Sequence, residues 1–292
     1  MYGTKLKFPL IVYIMLIMKN VIDFAFLDSG TGGIPYMLLL KEKSPESRCV
    51  YLGDTVHFPY GEKSFDEIVK CSSQAIDLIV QRWNPRVVII ACNTISVTAL
   101  EELRKLHPDL PIVGTVPAIK LAARVSLNKK IGFLATNASV NHKYSQKLIE
   151  DFANDCQVFK RGDPELIDFI EHKLFTASKD EKLAAVMPAV EFFNGCGCDT
   201  IILGCTHFTH MAREVEEAFA SKSWKKVFVV DSRDGVSNHA LDVIKTAPEK
   251  SECKMLPDDM TFFVTSLDCE DEKREYETLC NKFHIPFGGC IN

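Results

Sequence analysis

Short runs of aliphatic residues recur along this 292-residue chain, separated by longer amphipathic stretches. The runs VVII at 87–90 and TIIL at 200–203 lack the polar alternation of a half-exposed strand. They therefore predict strands that are buried on both faces of a largely parallel sheet. Stretches with helical periodicity lie between such runs, for example at 64–83 and 141–154. This alternation of strand and helix predicts an α/β fold.

The alternation occurs twice in the same order. FAFLDSGTGG is followed about sixty residues later by VVIIACNT, and IGFLATNAS is followed at a similar distance by TIILGCTH. We therefore predict two pseudo-symmetric α/β domains with the active site in the cleft between them, because ligands of open α/β sheets bind beyond the carboxyl ends of the strands. The expected boundaries are an extension at 1–17, a first domain at 18–116 plus 231–292, and a second domain at 117–230. Chance similarity between two ordinary α/β units is the alternative.

Composition narrows the range of partners. The net charge is −5 and no basic stripe stands out, so we expect no nucleic-acid partner. The eleven cysteines are scattered and form no CxxC pair, which argues against a disulfide framework and a zinc site. An apolar run at 8–18 is too short to span a bilayer, so we expect a cytoplasmic protein without a membrane partner; an N-terminal anchor is the alternative.

Two cysteines directly follow buried strands, one in each half of the chain. Cys92 ends VVIIAC and Cys205 ends TIILGC, and each stands where a helix is expected to begin. A helix N-terminus favours an anion and lowers the pKa of a cysteine. The neighbouring side chains are polar: Asn93, Thr94, Thr206 and His207. Two thiols placed in this way suit a reaction that takes a proton from one face of a carbon and returns a proton to the other face.

Two loops add further candidates. The turn SGTGG follows Asp28 but matches neither the dinucleotide nor the P-loop pattern, so it predicts backbone N–H groups that bind a carboxylate or a phosphate. Asp28 is either a helix N-cap or a charged partner of a substrate or thiol. The polar loop at 51–64 offers Tyr60 and Ser64 as donors to a ligand, although a structural turn explains the same residues.

Several motifs occur together in a fixed order: FLDSGTGG, YLGDTVHFPYGEKS, IIACNTIS, PIVGTVPAI, IGFLATNASV, IILGCTHF and VVDS. In content, order and spacing they resemble the glutamate racemases of the cofactor-independent aspartate/glutamate racemase superfamily. The resemblance begins near Val21 and extends to FFVTS at 262–266. The GCTH form resembles the glutamate branch rather than the aspartate branch.

The resemblance implies interconversion of L- and D-glutamate without pyridoxal phosphate or metal, a supply of D-glutamate for peptidoglycan, and a homodimer. It implies that Cys92 and Cys205 are the catalytic acid/bases, supported by Asp28 and His207 respectively. Glu171, in DPELIDFIE, matches a further carboxylate of the family. The residues expected to contact the substrate are Asp28, Ser29, Pro59, Tyr60, Gly61, Cys92, Asn93, Thr94, Thr136, Cys205, Thr206 and His207.

The chain departs from the family pattern at some positions. HFTHM at 207–211 replaces the usual HYPLL, so we expect the helix after Cys205 to start differently, and Ala138 replaces a second threonine. Three alternative functions remain open. The first is racemisation of aspartate or a hydantoin, and the second is hydrolysis at Cys205 and His207. The third is amino-acid binding without catalysis, against which the retention of both thiols counts.

Overall fold

Two parallel β-sheets organise the part of the chain that the computed structural model describes, which is residues 20–221, 226–251, 253 and 256–292. The predicted extension at 1–17 lies outside these residues. Ten strands are present in the described part: β1 Phe24–Asp28, β2 Cys49–Gly53, β3 Val87–Ile90, β4 Ile112–Gly114, β5 Lys130–Ala135, β6 Gln157–Gly162, β7 Thr200–Leu203, β8 Phe228–Val230, β9 Thr261–Val264 and β10 Phe287–Cys290.

The strands form one sheet of six and one sheet of four. The six-stranded sheet has the order β10-β9-β2-β1-β3-β4, and the four-stranded sheet has the order β6-β5-β7-β8. Neighbouring strands in both sheets are parallel. The predicted α/β fold with largely parallel sheets is therefore confirmed. We call the six-stranded sheet with its helices the first lobe and the four-stranded sheet with its helices the second lobe.

Helices connect the strands and cover both faces of each sheet. The α-helices of the described residues are α1 Ile34–Lys43, α2 Phe65–Trp83, α3 Asn93–Leu106, α4 Ile119–Val125, α5 Asn137–Asn141, α6 Lys143–Phe152, α7 Pro164–His172, α8 Lys179–Gly195, α9 Ala212–Ser221, α10 Arg233–Val243 and α11 Glu270–Phe283. Short 3-10 helices occupy Thr55–His57, Tyr60–Glu62 and His207–Met211. No helix in the described ranges is both long and apolar enough to cross a membrane.

The strands lie where the aliphatic runs predicted them because both faces of each sheet are covered. In β1, Ala25 and Leu27 contribute to the apolar core on one face, and Phe24 and Phe26 contribute to the core on the other. All of β1 is buried. Each large side chain removed from water in this way contributes about 1.5–3 kcal/mol, which explains why the strands need no polar face.

Ser64 has a structural task. Its hydroxyl accepts a hydrogen bond from the Glu67 amide, and the Glu67 side chain accepts one from the Ser64 amide, which together form a capping box at the start of α2. Such a cap satisfies amides that have no partner within the helix. Ser64 is therefore a structural residue, as the alternative interpretation predicted, and not a donor to a ligand.

The end of the chain differs from its prediction. The sequence of residues 269–292 predicts a closing helix and a short tail, but residues 287–290 form β10, which pairs with β9 at the edge of the six-stranded sheet. The helix α11 ends at Phe283, and its C-cap residue His284 has a left-handed conformation with a φ of 54°. The strand was missed because its sequence, FGGC, contains two glycines and alternates between partly buried and exposed residues.

Candidate active site

A cavity of about 350 Å³ lies between the two lobes. It is bordered by residues one or two positions after the ends of four strands: Ser29 after β1, Cys92 after β3, Thr136 after β5 and Cys205 after β7. Parallel strands end at the same edge of a sheet, so the two sheets direct their carboxyl ends toward one cleft. The predicted position of the ligand site is in agreement with this cavity.

Most of the predicted site residues line the cavity. They are Ser29, Pro59, Tyr60, Gly61, Cys92, Asn93, Thr94, Thr136, Cys205, Thr206 and His207. Asp28 and Glu171 do not line it but contact residues that do. The cavity wall also includes residues that the sequence did not indicate: Phe58, Glu62, Asn137, Pro164, Ile167, Asp168 and His172. The cavity residues in α7 could not be predicted from the periodicity of that helix, because periodicity does not show which element each face of a helix packs against.

Cys92 is a nearly buried thiol with 5% exposure, at the N-cap position of α3. Its pKa lies well above the ordinary value, because of burial first and then the negative charge of Asp28. A hydrogen bond from the Ile95 amide acts in the opposite direction and is outweighed. The expectation that a helix N-terminus lowers this pKa is therefore wrong for Cys92. Loss of hydration and a carboxylate neighbour outweigh the helix end.

Asp28 is a fully buried carboxyl beneath the cavity floor. Oδ1 accepts a hydrogen bond from the Ser29 amide at 2.7 Å, and Oδ2 accepts one from the Thr206 hydroxyl at 3.0 Å. Burial raises the pKa of Asp28 to about 6, although the nearby His207 charge lowers it in part. Asp28 is not the N-cap of α1, which is Gly33. Of its two predicted roles, the structure favours the charged partner of a thiol.

Cys205 lies beside His207, which in turn pairs with a carboxylate. Its sulfur lies 3.7 Å from Nδ1 of His207, and Nε2 of His207 lies 2.8 Å from Oε2 of Glu171. Burial alone would lower the pKa of His207, but hydrogen bonds to Cys205 and Glu171 raise it well above the ordinary value. Burial would raise the pKa of Glu171, but the same partnership with His207 keeps it below its ordinary value. The ring is therefore an imidazolium placed beside the Cys205 sulfur.

The glycine-rich turn after β1 does bind a carboxylate, and that carboxylate belongs to the protein. The Thr31 amide donates to Glu171 at 3.0 Å and the Thr31 hydroxyl donates at 2.7 Å. A Cβ on Gly30 would lie 2.4 Å from Oε1 of Glu171, and one on Gly32 would lie 2.6 Å from the His207 amide. The glycines are therefore needed so that the second lobe can approach the turn closely.

The 3-10 turn Tyr60–Glu62 forms another part of the wall. The Tyr60 hydroxyl donates a hydrogen bond to Asp54, a buried carboxylate that also accepts one from the Thr265 hydroxyl at 2.9 Å. Tyr60 thus lines the cavity with its ring, while its hydroxyl is already paired within the protein. A Cβ on Gly61 would meet the side chain of Thr136 at 3.3 Å, so the turn also packs against the second lobe.

Polar groups at the cavity include a hydroxyl pair and an amide. The Thr94 and Thr136 hydroxyl oxygens lie 3.1 Å apart, and this contact joins the two lobes. Both polar atoms of the buried Asn93 side chain have no hydrogen-bond partner within the described protein. These groups suit a small ligand with carboxylate and ammonium groups. Among the described residues, no cluster of three or more His, Cys, Asp or Glu side chains could hold a metal ion.

Comparison with known proteins agrees with this geometry. The family model described as Asp/Glu/Hydantoin racemase matches residues 38–236, which include both cysteines of the cavity. The chain belongs to this racemase family. A glutamate racemase of Treponema pallidum (strain Nichols) is 37% identical over 236 residues, covering 81% of this chain and 85% of the relative. A glutamate racemase of Haemophilus ducreyi is 34% identical, covering 80% and 86% respectively.

Solved structures of this family have the same fold. Glutamate racemase of Escherichia coli, in complex with L-glutamate and the activator UDP-MurNAc-ala, superposes with a TM-score of 0.77 at 28% identity, over 92% of this chain and 97% of the other. Glutamate racemase of Francisella tularensis superposes with a TM-score of 0.71 at 21% identity, over 93% and 97%. The family resemblance seen in the sequence motifs is therefore confirmed.

Proposed function

We propose that this protein interconverts L- and D-glutamate by proton transfer between the α-carbon and two thiols. The observation that carries the proposal is the arrangement of Cys92 and Cys205, one from each lobe, on a single cavity. Curated relatives of 37% and 34% identity are glutamate racemases, and the solved Escherichia coli relative contains L-glutamate. This support favours glutamate over aspartate or a hydantoin as the substrate.

The two thiols have different neighbours. Cys92 is a neutral thiol because burial and Asp28 raise its pKa. Cys205 lies 3.7 Å from Nδ1 of the His207 imidazolium, and we propose that it starts the reaction as the thiolate. One base and one acid are the states that a two-base racemisation needs at its start. The difference arises from the neighbours, since both residues have the same exposure of 5%.

The reaction then proceeds in two proton transfers. The Cys205 thiolate takes the α-proton of one enantiomer, so an S–H bond forms while the Cα–H bond breaks. The electron pair stays on the α-carbon and is delocalised into the α-carboxylate. Cys92 donates its thiol proton to the opposite face and becomes the thiolate. For the other enantiomer the two sulfurs exchange roles. Asp28 accepts the proton that Cys92 loses, and the His207 imidazolium donates the proton that Cys205 gains.

The remaining residues of the cavity bind the substrate. Asn93 has a free amide, and the Thr94 and Thr136 hydroxyls can turn from each other to a carboxylate oxygen. The N-terminus of α3 adds a partial positive charge at the same end. We propose that these groups, together with Ser29 and Thr206, stabilise the negative charge that develops on the α-carboxylate as the proton leaves.

Deuterium incorporation tests this proposal directly. In heavy water, each enantiomer of glutamate should acquire deuterium at the α-carbon, and the optical rotation should decay to zero. Cys92→Ser and Cys205→Ser should each lower racemisation at least a thousandfold, because a serine hydroxyl is a far weaker acid than a thiol. Cys196→Ser, at a thiol outside the cavity, is the control. Racemisation at the normal rate in either cavity variant would refute the two-thiol scheme.

Hydrolysis is the alternative that the geometry keeps, because Cys205, His207 and Glu171 form a relay of thiol, imidazole and carboxylate. A hydrolase of this type uses one nucleophile and forms an acyl-enzyme. It would require Cys205 and be indifferent to Cys92. A covalent adduct on Cys205, detected by mass spectrometry in both the wild type and Cys92→Ser, would favour hydrolysis over racemisation.

The wider role is part of the same proposal. The protein acts in the cytoplasm, supplies D-glutamate for peptidoglycan, needs neither pyridoxal phosphate nor metal, and assembles as a homodimer. The proposed domain boundaries are 18–116 plus 231–292 for the first domain and 117–230 for the second. Sedimentation of the purified protein tests the dimer, and activity after extensive chelation tests the independence from metal.

A further inference from the structure

Thr31 connects the glycine-rich turn of the first lobe to two side chains of the second lobe. Its amide and hydroxyl donate to Glu171 at 3.0 and 2.7 Å, and its carbonyl accepts a hydrogen bond from Nε2 of His210 at 3.2 Å. Thr31 is completely buried and does not line the cavity. It contacts no reacting atom, yet its amide, hydroxyl and carbonyl all bond to side chains of the second lobe. The carbonyl also accepts a hydrogen bond from the Ile34 amide at 3.2 Å.

The hydroxyl of Thr31 is well placed to fix the Glu171 carboxylate. Oε2 of Glu171 accepts from the Thr31 hydroxyl and from Nε2 of His207, at 2.7 and 2.8 Å. The terminal torsion of a glutamate side chain is broad, so the carboxylate direction is set by its partners and not by its own rotamers. If the Thr31 hydroxyl is lost, the carboxylate keeps the amide of Thr31 but is free to turn, and His207 loses a fixed acceptor.

His210 in turn holds the backbone of Thr31. A carbonyl oxygen can only accept, so Nε2 of His210 carries the hydrogen. Burial lowers the pKa of His210 to about 4, so the ring is neutral in the working range of pH. Its ring centroid lies 5.7 Å from that of Phe175 and 5.7 Å from that of Phe283. These contacts from α11 and from the segment after α7 fix the direction in which Nε2 points.

We propose that Thr31 is a positioning residue, which directs the Glu171 carboxylate at His207 and thereby keeps the imidazolium beside Cys205, and that His210 holds Thr31 in this position. This inference rests on the proposed racemisation. Because the contacts reach only the Cys205 side of the cavity, loss of the Thr31 hydroxyl affects one of the two proton transfers. The titratable and charged groups that face this network are Asp28, Tyr51, Cys205, Tyr276 and Arg233.

Matched substitutions separate the hydroxyl from the volume of the side chain. Thr31→Val keeps the shape and removes the hydroxyl, whereas Thr31→Ser keeps the hydroxyl. Thr200→Val is the control. Like Thr31, Thr200 is fully buried, and its hydroxyl donates to a carboxylate, that of Asp199, at 2.9 Å. Unlike Thr31, Thr200 lies at the end of β7 that is far from the cavity. His210→Leu and His210→Gln form a second pair, in which only glutamine can donate to the Thr31 carbonyl.

The readout is steady-state racemisation of both enantiomers, with α-hydrogen or α-deuterium. Thr31→Val should lower kcat about tenfold with KM almost unchanged, since one hydrogen bond to a charged group is lost and the others remain. The deuterium isotope effect should increase for the enantiomer whose proton passes to Cys205 and should not increase for the other. Thr31→Ser and His210→Gln should retain near-normal kcat, and His210→Leu should resemble Thr31→Val.

Distinct outcomes would overturn the inference. Normal kcat in Thr31→Val would do so. Equal losses in Thr31→Val and Thr31→Ser would also do so, because the effect would then not be specific to the hydroxyl. Isotope effects that change equally for both enantiomers, or change in Thr200→Val as well, would indicate a general loss of packing. Failure of the proposed function itself gives a different result, since the wild type would then incorporate no deuterium at the α-carbon.

Discussion

Replacing Glu171 by glutamine removes one charge from a buried ion pair without changing the volume of the side chain. The carboxylate and the His207 ring are 2% and 3% exposed, and Oε2 lies 2.8 Å from Nε2. Removing one partner of such a pair leaves an uncompensated charge in the interior, which costs about 3–5 kcal/mol. We expect a loss near the lower limit, about 3 kcal/mol, because the amide oxygen of glutamine can still accept hydrogen bonds from Thr31.

This loss should depend on pH in a defined way. The pKa of Glu171 lies below 4.5 in the folded protein, so its contribution is present above pH 4.5 and is lost as pH falls through the folded value. The pKa of His207 lies well above 6.5, so its contribution is fully present below pH 6.5 and is lost as pH rises through the folded value. Both charges are therefore in place at about pH 5.5, where the substitution should cost most.

Urea denaturation of the wild type and Glu171→Gln measures the difference. With a denaturant dependence of about 3 kcal/mol per molar, the midpoint at about pH 5.5 should fall by about 1 M. The matched control is Glu217→Gln, because Glu217 pairs with Lys179 at 2.8 Å at a more exposed site, where the midpoint should barely change. Equal midpoints for wild type and Glu171→Gln, or equal shifts in both variants, would refute the assignment of a stabilising buried pair.

Two further predictions concern the same region. Gly30→Ala should reduce kcat at least tenfold, because the added Cβ would lie 2.4 Å from Oε1 of Glu171. Gly235→Ala is the control and should leave racemisation unchanged, since a Cβ there would have no atom within 4 Å. Normal activity in Gly30→Ala would show that Glu171 need not lie beside the turn. The pKa of about 6 for Asp28 predicts that kcat/KM falls as pH decreases through this value, since only the carboxylate can accept the proton of Cys92. Asp28→Asn should abolish this pH dependence along with most of the activity, and an unchanged acidic limb in that variant would assign the titration to another group.

The strand ends could be read from the sequence because parallel strands obey a strong rule. A buried aliphatic run followed by polar residues marks the carboxyl end of such a strand, and these ends meet at a cleft. The sequence therefore predicts that Cys92 and Cys205 lie on one cleft, and both line the same cavity in the structure. The strand β10 obeys no such rule, since FGGC carries little apolar surface and pairs only because β9 offers a free edge.

The electrostatics of the site could not be predicted from the sequence. The sequence shows that Cys92 starts a helix but does not show that Asp28 is buried beside it, and burial determines the direction of the pKa shift. Likewise, the glycine-rich turn was expected to bind an anion from outside, but the bound carboxylate comes from Glu171, 140 residues further along the chain than Thr31. Long-range neighbours of this kind are set by how the lobes pack.

The hydroxyl pair of Thr94 and Thr136 has a consequence for how a substrate gains access to the thiols. The two oxygens bond to each other across the cleft at 3.1 Å, and Thr136 also has Ser139 as a partner at 3.0 Å. Parting the lobes at this point therefore breaks one neutral hydrogen bond, at a net cost of about 1 kcal/mol. A ligand carboxylate that enters here offers both hydroxyls a charged acceptor in place of the hydrogen bond between them. Closure of the lobes around such a ligand is therefore favoured over closure around water.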